Sequence, residues 1–236
     1  MTEILARLRA DLRANADEKS IANYKRYFKE TVKFYGLSMS AANKIAVKYW
    51  KEVKALSKPE IFALCEDLFK SDYSEEAAVA SDWAPRLTNQ FAPADLALFK
   101  RWIDSYLNDW AKVDGFCNHT VGNFMQKYPA SITEIVSWTA SSNRWLKRAS
   151  AVSLIIPAKK GLFINEIFTI SDHLLTDKDD MVQKGYGWML KEAYKPHQDA
   201  VYQYVLKHRP DMPRTALRYA IEKMPPYLIT EAMKRV

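Results

Sequence analysis

In the segment NDWAKVDGFC, Trp110 precedes Asp114 by four residues. On a helix that spacing puts both side chains on one face, a single turn apart. A carboxylate beside a broad aromatic surface suits a cationic guest. The ring face attracts positive charge, and the carboxylate stabilises a cation that develops as a bond breaks. Alignment on Asp109, Asn143 and Asp180 as helix caps extends the pattern. Positions one, five and eight after a cap fall within an arc of roughly 60° at about 100° per residue. They hold Trp110, Asp114 and Cys117 in one unit, Arg148 in the next and Trp188 in the third. Lys147 and Lys184, both four after their caps, flank this strip. Such a face would hold a flat cationic group beside a phosphate backbone, with Arg148 and the lysines taking phosphates. A plainer assignment stays open, in which Asp114 and Arg148 form an ion pair between repeats. The tryptophans Trp50, Trp83, Trp102, Trp138 and Trp145 are assigned to the core.

Helices must position these residues. The chain has only 6 glycines, and its apolar residues recur every three to four positions. In IANYKRYFKETVKFYG, Ile21, Tyr24, Tyr27, Phe28, Val32 and Tyr35 make one helical stripe. AANKIAVKYWKEVKAL, PEIFALCEDLF, PADLALFKRWIDSYL and GLFINEIFTISDHLL read the same way, and Pro59 and Pro93 sit where helices begin. The fold class is therefore all-α. Ser74, Asp109, Asn143, Asp180 and Asp211 are of the types that cap helices, and they recur roughly every 31–37 residues, the period of a two-helix repeat. Six positions after the cap lies Ala80, Gly115 or Ala149, each small enough to let a neighbouring helix approach; Tyr186 and Leu217 break the pattern. The reading is a single domain, 1–236, that stacks degenerate HEAT-like repeats into an α-α superhelix with a concave face. Residues to about 56 form an N-terminal helical cap and 57–236 the repeats.

The formal net charge is +7 and the sequence pI about 9.2, which favours a polyanionic partner. No apolar run is long enough to span a bilayer, and the N-terminus lacks a signal-peptide core. The expected location is cytoplasmic, and a monomer is the default for this architecture. Cys65 and Cys117 fit a reducing compartment. Cys117 and His119 are two apart, so they point apart on a helix, and no second pair at zinc spacing accompanies them. No metal and no cofactor is expected; phosphate loops, dinucleotide fingerprints and nucleophile elbows are absent.

DWAKVD, NRWLKRASAV and VQKGYGWMLKE, in that order and spacing, together with YKRYFKETVKFYGLS near the start, resemble the AlkD-like DNA alkylation repair family. The resemblance covers nearly the whole chain. It implies HEAT-like repeats, duplex DNA carrying alkylated bases as the partner, and hydrolysis of the N-glycosidic bond of N3-methyladenine or N7-methylguanine. It implies that Asp114 is the catalytic carboxylate, with Trp110 and Trp188 against the lesion deoxyribose and backbone. Arg148 matches the basic residue of the N-x-W-L-x-R helix, and Tyr27 an aromatic of the N-terminal motif. With Lys147, Lys184, Lys191, Lys159 and Lys160 they make up the implied DNA-binding set. The chain departs from the family in two places. FCNHTV is more polar than a member's core helix, and Ile156–Pro157 interrupt the Arg148 helix, where Lys159 and Lys160 substitute for a basic residue. Some branches of the family bind DNA without excision. A non-catalytic solenoid recognising damaged or branched DNA is therefore the second reading, and a protein-binding scaffold the third.

Overall fold

Ser57 shows how local sequence sets these helices. Its backbone N–H and its hydroxyl both donate to the Glu60 carboxylate, at 2.9 and 2.6 Å, and Pro59 fills a first-turn position that needs no N–H. A computed structural model of the chain describes residues 2–27 and 31–234, without the side chains of residues 2, 23–25 and 27. Among the described residues the fold is all-α, with no strand and one isolated parallel bridge between Lys33 and Tyr73. No helix among them is long and apolar enough to cross a membrane. The chain divides into two compact units, Met1–Phe116 and Cys117–Val236.

The first unit holds α1 (Thr2–Ala14), α2 (Glu18–Tyr27), α3 (Met39–Val53), α4 (Lys58–Lys70), α5 (Ser74–Trp83), α6 (Asp95–Tyr106) and α7 (Trp110–Phe116). Helix α5 packs on α3 and on α7, while α4 lies against α5 and α6. Phe62, Phe69, Phe99, Trp102 and Phe116 meet tilted or edge to face, with ring centroids 5.3–5.8 Å apart. Trp83 is fully buried and donates its indole N–H to Ala46 O at 3.0 Å. Trp50, assigned to the core from sequence, is instead half-buried beneath Arg86, whose guanidinium lies 5.2 Å from the ring centroid.

The stripe over residues 21–35 does not continue as one helix. Helix α2 ends at Tyr27, and residues 31–38 are non-helical. The cause is tertiary. The buried Glu75 carboxylate accepts from three successive backbone N–H groups, those of Tyr35 at 3.0 Å, Gly36 at 2.8 Å and Leu37 at 3.0 Å. Gly36 meets this demand with φ of +102°, a conformation that costs glycine little. Tyr35 stacks on Tyr73 at 4.2 Å and donates its hydroxyl to Glu76, which also accepts Arg9. Glu75→Gln turns a donor toward the Tyr35 N–H in a site closed to water. It is expected to lower stability by about 2 kcal/mol, read as a fall in the urea midpoint with unchanged slope.

Glu66 joins α4 to α6. It accepts from both terminal nitrogens of Arg101 at 2.9 and 2.8 Å and from the Trp102 indole at 3.0 Å. The Arg101 hydrogen bonds are the main cause that lowers its pKa from 4.5 to about 2; burial opposes them, and Trp102 and Lys70 assist. The folded value lies below the unfolded one, so the unfolded chain binds more protons in between. This contribution is whole above pH about 4.5 and is lost as the pH falls toward about 2. Acid titration of the unfolding midpoint should show that loss, and Glu66→Gln should flatten it.

The second unit opens with a π turn at Cys117–Val121 and continues with α8 (Gly122–Lys127), α9 (Ile132–Ser137), α10 (Arg144–Val152), α11 (Ile155–Lys159), α12 (Ile164–Leu174), α13 (Asp180–Tyr194), α14 (Gln198–His208), α15 (Arg214–Ile221) and α16 (Pro226–Met233). Helix α13 packs on α10, α11, α12, α14 and α15. The polar stretch FCNHTV falls on the π turn, where Cys117 is buried and His119 exposed. Pro157 has no N–H for Ser153 O, and its ring would crowd that carbonyl in a continuous helix. The chain accordingly breaks at Ser153–Leu154 and restarts as α11, and Gly122 lies where a Cβ would be 3.1 Å from Ser153 O.

Two of the five expected caps hold. Asp109 accepts from Lys112 N at 3.0 Å and Asn143 from Trp145 N at 2.9 Å. The other three move. Helix α5 is capped at Tyr73 rather than Ser74, whose hydroxyl is buried without a protein partner. Helix α13 is capped by Asp179, not Asp180, and accepts from Met181 N at 2.8 Å. Helix α15 starts at Arg214 after Pro213, so Asp211 caps nothing. With Asp179 as the cap, the residue six positions on is the small Gly185 rather than Tyr186; with Tyr73 as the α5 cap it is Val79 rather than Ala80, so the small-residue register gains one unit and loses another.

Candidate functional site

Trp110 and Asp114 lie on α7, one turn apart and both half-buried. Their placement is fixed from below. Lys112, with its side chain 2% exposed, turns the other way and donates to Asp72 Oδ1 at 2.7 Å, Asp72 O at 3.0 Å and Asn108 Oδ1 at 2.7 Å. Its ammonium also lies 3.2 Å from Asp109 Oδ2. Asp72 takes a left-handed φ of +66° in this arrangement. Burial alone would raise its pKa, but the hydrogen bonds from Lys112 and Asn108 hold it below the usual carboxylate range. One lysine thus anchors the start of α7 to the turn before α5. Gly115 lets the two helices close up, with a notional Cβ 3.8 Å from Ser81 Oγ.

In the second unit, the fifth position after each cap holds Arg148 on α10 and, with Asp179 as cap, Lys184 on α13. Arg148 is only 5% exposed and donates to Met181 O, and Gly185 opposes its side chain, with a notional Cβ 3.3 Å from Arg148 Cγ. Arg148 therefore links α10 to the start of α13. Lys147 pairs with Asp177 at 2.7 Å and Lys184 with Asp180 at 3.0 Å. Lys191 pairs with Glu222 at 3.0 Å, and Lys160 donates to Gln126 Oε1 at 2.5 Å. Lys147, Lys184 and Lys191 thus carry carboxylate partners and offer less unneutralised charge than the sequence count suggests, whereas Lys160 meets a neutral amide and keeps its full charge.

Trp188 is half-buried on α13 and donates its indole N–H to Glu192 Oε1 at 3.1 Å. Lys223 donates to Glu192 Oε2 at 2.7 Å, and the Lys159 ammonium lies 3.8 Å from the same oxygen. Glu192 and Lys223 were not singled out from sequence. The four-residue step from Trp188 to Glu192 was a legible signal; Lys223 had none, because it arrives from beyond α15. Tyr27 closes α2, and its side chain lies outside the described residues. Trp83, Trp102, Trp138 and Trp145 are buried as expected. Trp110 and Trp188, placed on the strip by register and by the family resemblance, are both half-buried.

No curated protein matches the chain. Among solved structures, one described as a predicted DNA alkylation repair enzyme from Enterococcus faecalis matches with a TM-score of 0.80 at 17% sequence identity, covering 90% of this chain and 98% of that one. At that identity the likeness shows a shared fold. The sequence model described as DNA alkylation repair enzyme matches residues 8–224. Its reach over almost the whole chain, α1 to α15, places the protein in the family of DNA alkylation repair enzymes.

Proposed function

We propose that the protein is a monofunctional DNA glycosylase that hydrolyses the N-glycosidic bond of cationic alkylated purines, N3-methyladenine and N7-methylguanine, in duplex DNA. The supporting observation is the half-buried Asp114 one turn from Trp110 on a helix whose start is locked by Lys112. The lesion already carries positive charge, so no acid is needed to protonate the leaving base. The bond from C1′ to the base nitrogen breaks, and its electron pair leaves with the base and neutralises it. The sugar becomes oxocarbenium-like, as in glycoside hydrolysis generally. The Asp114 carboxylate stabilises that cation and orients the attacking water, whose oxygen bonds to C1′ as it sheds a proton. Trp110 and Trp188 contact the deoxyribose and backbone. Tyr27 and the lysines Lys147, Lys159, Lys160, Lys184 and Lys191 serve the phosphates, the exposed Lys159 and Lys160 most directly, while the buried Arg148 supports them from beneath by tying α10 to the start of α13.

The test is release of free methylated purine from methylated duplex DNA, resolved by chromatography. Both bases should appear in the free fraction, and the DNA should retain abasic sites. Tight duplex binding with no release would move the protein to a DNA-binding role without chemistry.

A further inference from the structure

Glu192 is a carboxylate with its side chain 7% exposed, yet its three neighbours are all partly open to solvent. Trp188 is half-buried, and Lys159 and Lys223 are 52% and 49% exposed along their side chains. A carboxylate so deeply buried is costly unless its oxygens are fully partnered. Here the two oxygens divide the work. Oε1 accepts the Trp188 indole N–H at 3.1 Å, and Oε2 meets Lys223 at 2.7 Å and Lys159 at 3.8 Å. Burial would raise the pKa of Glu192, but Lys223, Trp188 and Lys159 outweigh it and keep the group below the usual range. The neighbours come from three separate elements: Trp188 from α13, Lys159 from the end of α11, and Lys223 from the segment after α15. A surface ion pair needs no such convergence, and neither does a capped tryptophan.

We propose that Glu192 is a positioning residue: it fixes the plane of the Trp188 indole and gathers Lys223 and Lys159 beside it as a paired contact for one backbone phosphate. Both amines lie within 3.8 Å of a single carboxylate oxygen, close enough for one phosphodiester to bridge them. Glu192 itself stays beneath and touches no DNA. The inference rests on the glycosylase reading for what Trp188 contacts, but its geometry can be tested without it.

Two variants of the full chain, Glu192→Ala and Glu192→Gln, separate positioning from simple stability. The Trp188 indole N–H resonance, identified by its disappearance in Trp188→Phe, should move in Glu192→Ala and stay near its native place in Glu192→Gln, whose amide oxygen keeps an acceptor for the indole while its NH2 displaces the half-exposed Lys223 and Lys159 ammoniums into solvent. Single-turnover base release should fall about 10- to 100-fold in Glu192→Ala through misplacement of the indole, with most of the rate restored in Glu192→Gln. In a Trp188→Phe background the alanine substitution should cost no further rate. Lys223→Gln should lower the salt slope of duplex binding by about 1, the mark of one lost phosphate contact. An unmoved indole resonance, an equal alanine penalty in both backgrounds, or an unchanged salt slope for Lys223→Gln would overturn the proposal. If the wild-type protein releases no base, the glycosylase reading fails, while the resonance and the salt slope still decide for or against Glu192.

Discussion

Asp114→Asn is expected to bind methylated duplex DNA as the wild type does and to release methylated purine about 10²- to 10³-fold more slowly, the usual cost of removing one preorganised charge-stabilising group. The substitution is nearly isosteric. It keeps an oxygen that can accept a hydrogen bond and removes the negative charge. In the proposed reaction the substrate arrives cationic and the charge migrates from the base to the sugar as the bond breaks. A neutral amide can solvate that sugar but cannot offset its charge. Asp114 is half-buried, so water screens the interaction less than at an open surface. The anchor of α7 is unaffected, because Lys112 and Asp109 hold the helix start from the opposite face. Duplex affinity therefore serves as the control for folding, and loss confined to release is the expected signature. Release at the wild-type rate would remove Asp114 from the chemistry and return it to the plainer role of a structural carboxylate.

The Trp110–Asp114 pair was legible because everything that makes it is local. A capping aspartate, a tryptophan at the first position and a carboxylate four residues on need only a helix to bring them together. Asn143 and the Arg148 helix were legible for the same reason. The slip at α13 has an equally local cause: Asp179 and Asp180 are both good caps, and only the native hydrogen bonds to Met181 and Val182 choose between them. That single-residue error hid Gly185 as the small residue of its repeat and placed Trp188 one position off its register. What sequence could not supply is convergence from afar. Residues 31–35 carry helical periodicity, yet Glu75, forty positions beyond Tyr35, takes the backbone N–H groups of Tyr35, Gly36 and Leu37 and holds the segment out of a helix. Glu192 could be seen beside Trp188, but nothing local announces that Lys159 and Lys223 close on it. The polarity of FCNHTV was visible as a departure; that it resolves into a π turn after the Asp114 helix was not.

Gly187→Ala should lower stability by about 3 kcal/mol, at the upper end of overpacking costs. A Cβ at this position would lie 2.7 Å from Ala216 O, 2.7 Å from Tyr219 Cβ and 3.2 Å from Ala216 Cα. Two of those three atoms belong to the backbone of α15, so no rotamer change can make room, and α13 and α15 must part. Helix propensity works the other way, since alanine is better than glycine in a helix interior by about 1 kcal/mol. Steric overlap should win because a close-packed helix pair cannot yield a full ångström without losing contacts along its length. Gly115→Ala is the internal control. Its Cβ would meet Ser81 at 3.8 and 3.9 Å, ordinary contact distances, so the propensity gain should stand alone and raise stability by roughly 0.5–1 kcal/mol. Urea midpoints for the two variants should therefore move in opposite directions. Gly187 immediately precedes Trp188, so the first variant should also slow base release while leaving Asp114 in place, which would tie the close approach of α13 and α15 to the aim of the indole. A shift of both midpoints in the same direction would mean that the α13–α15 contact is looser than the distances at Gly187 require.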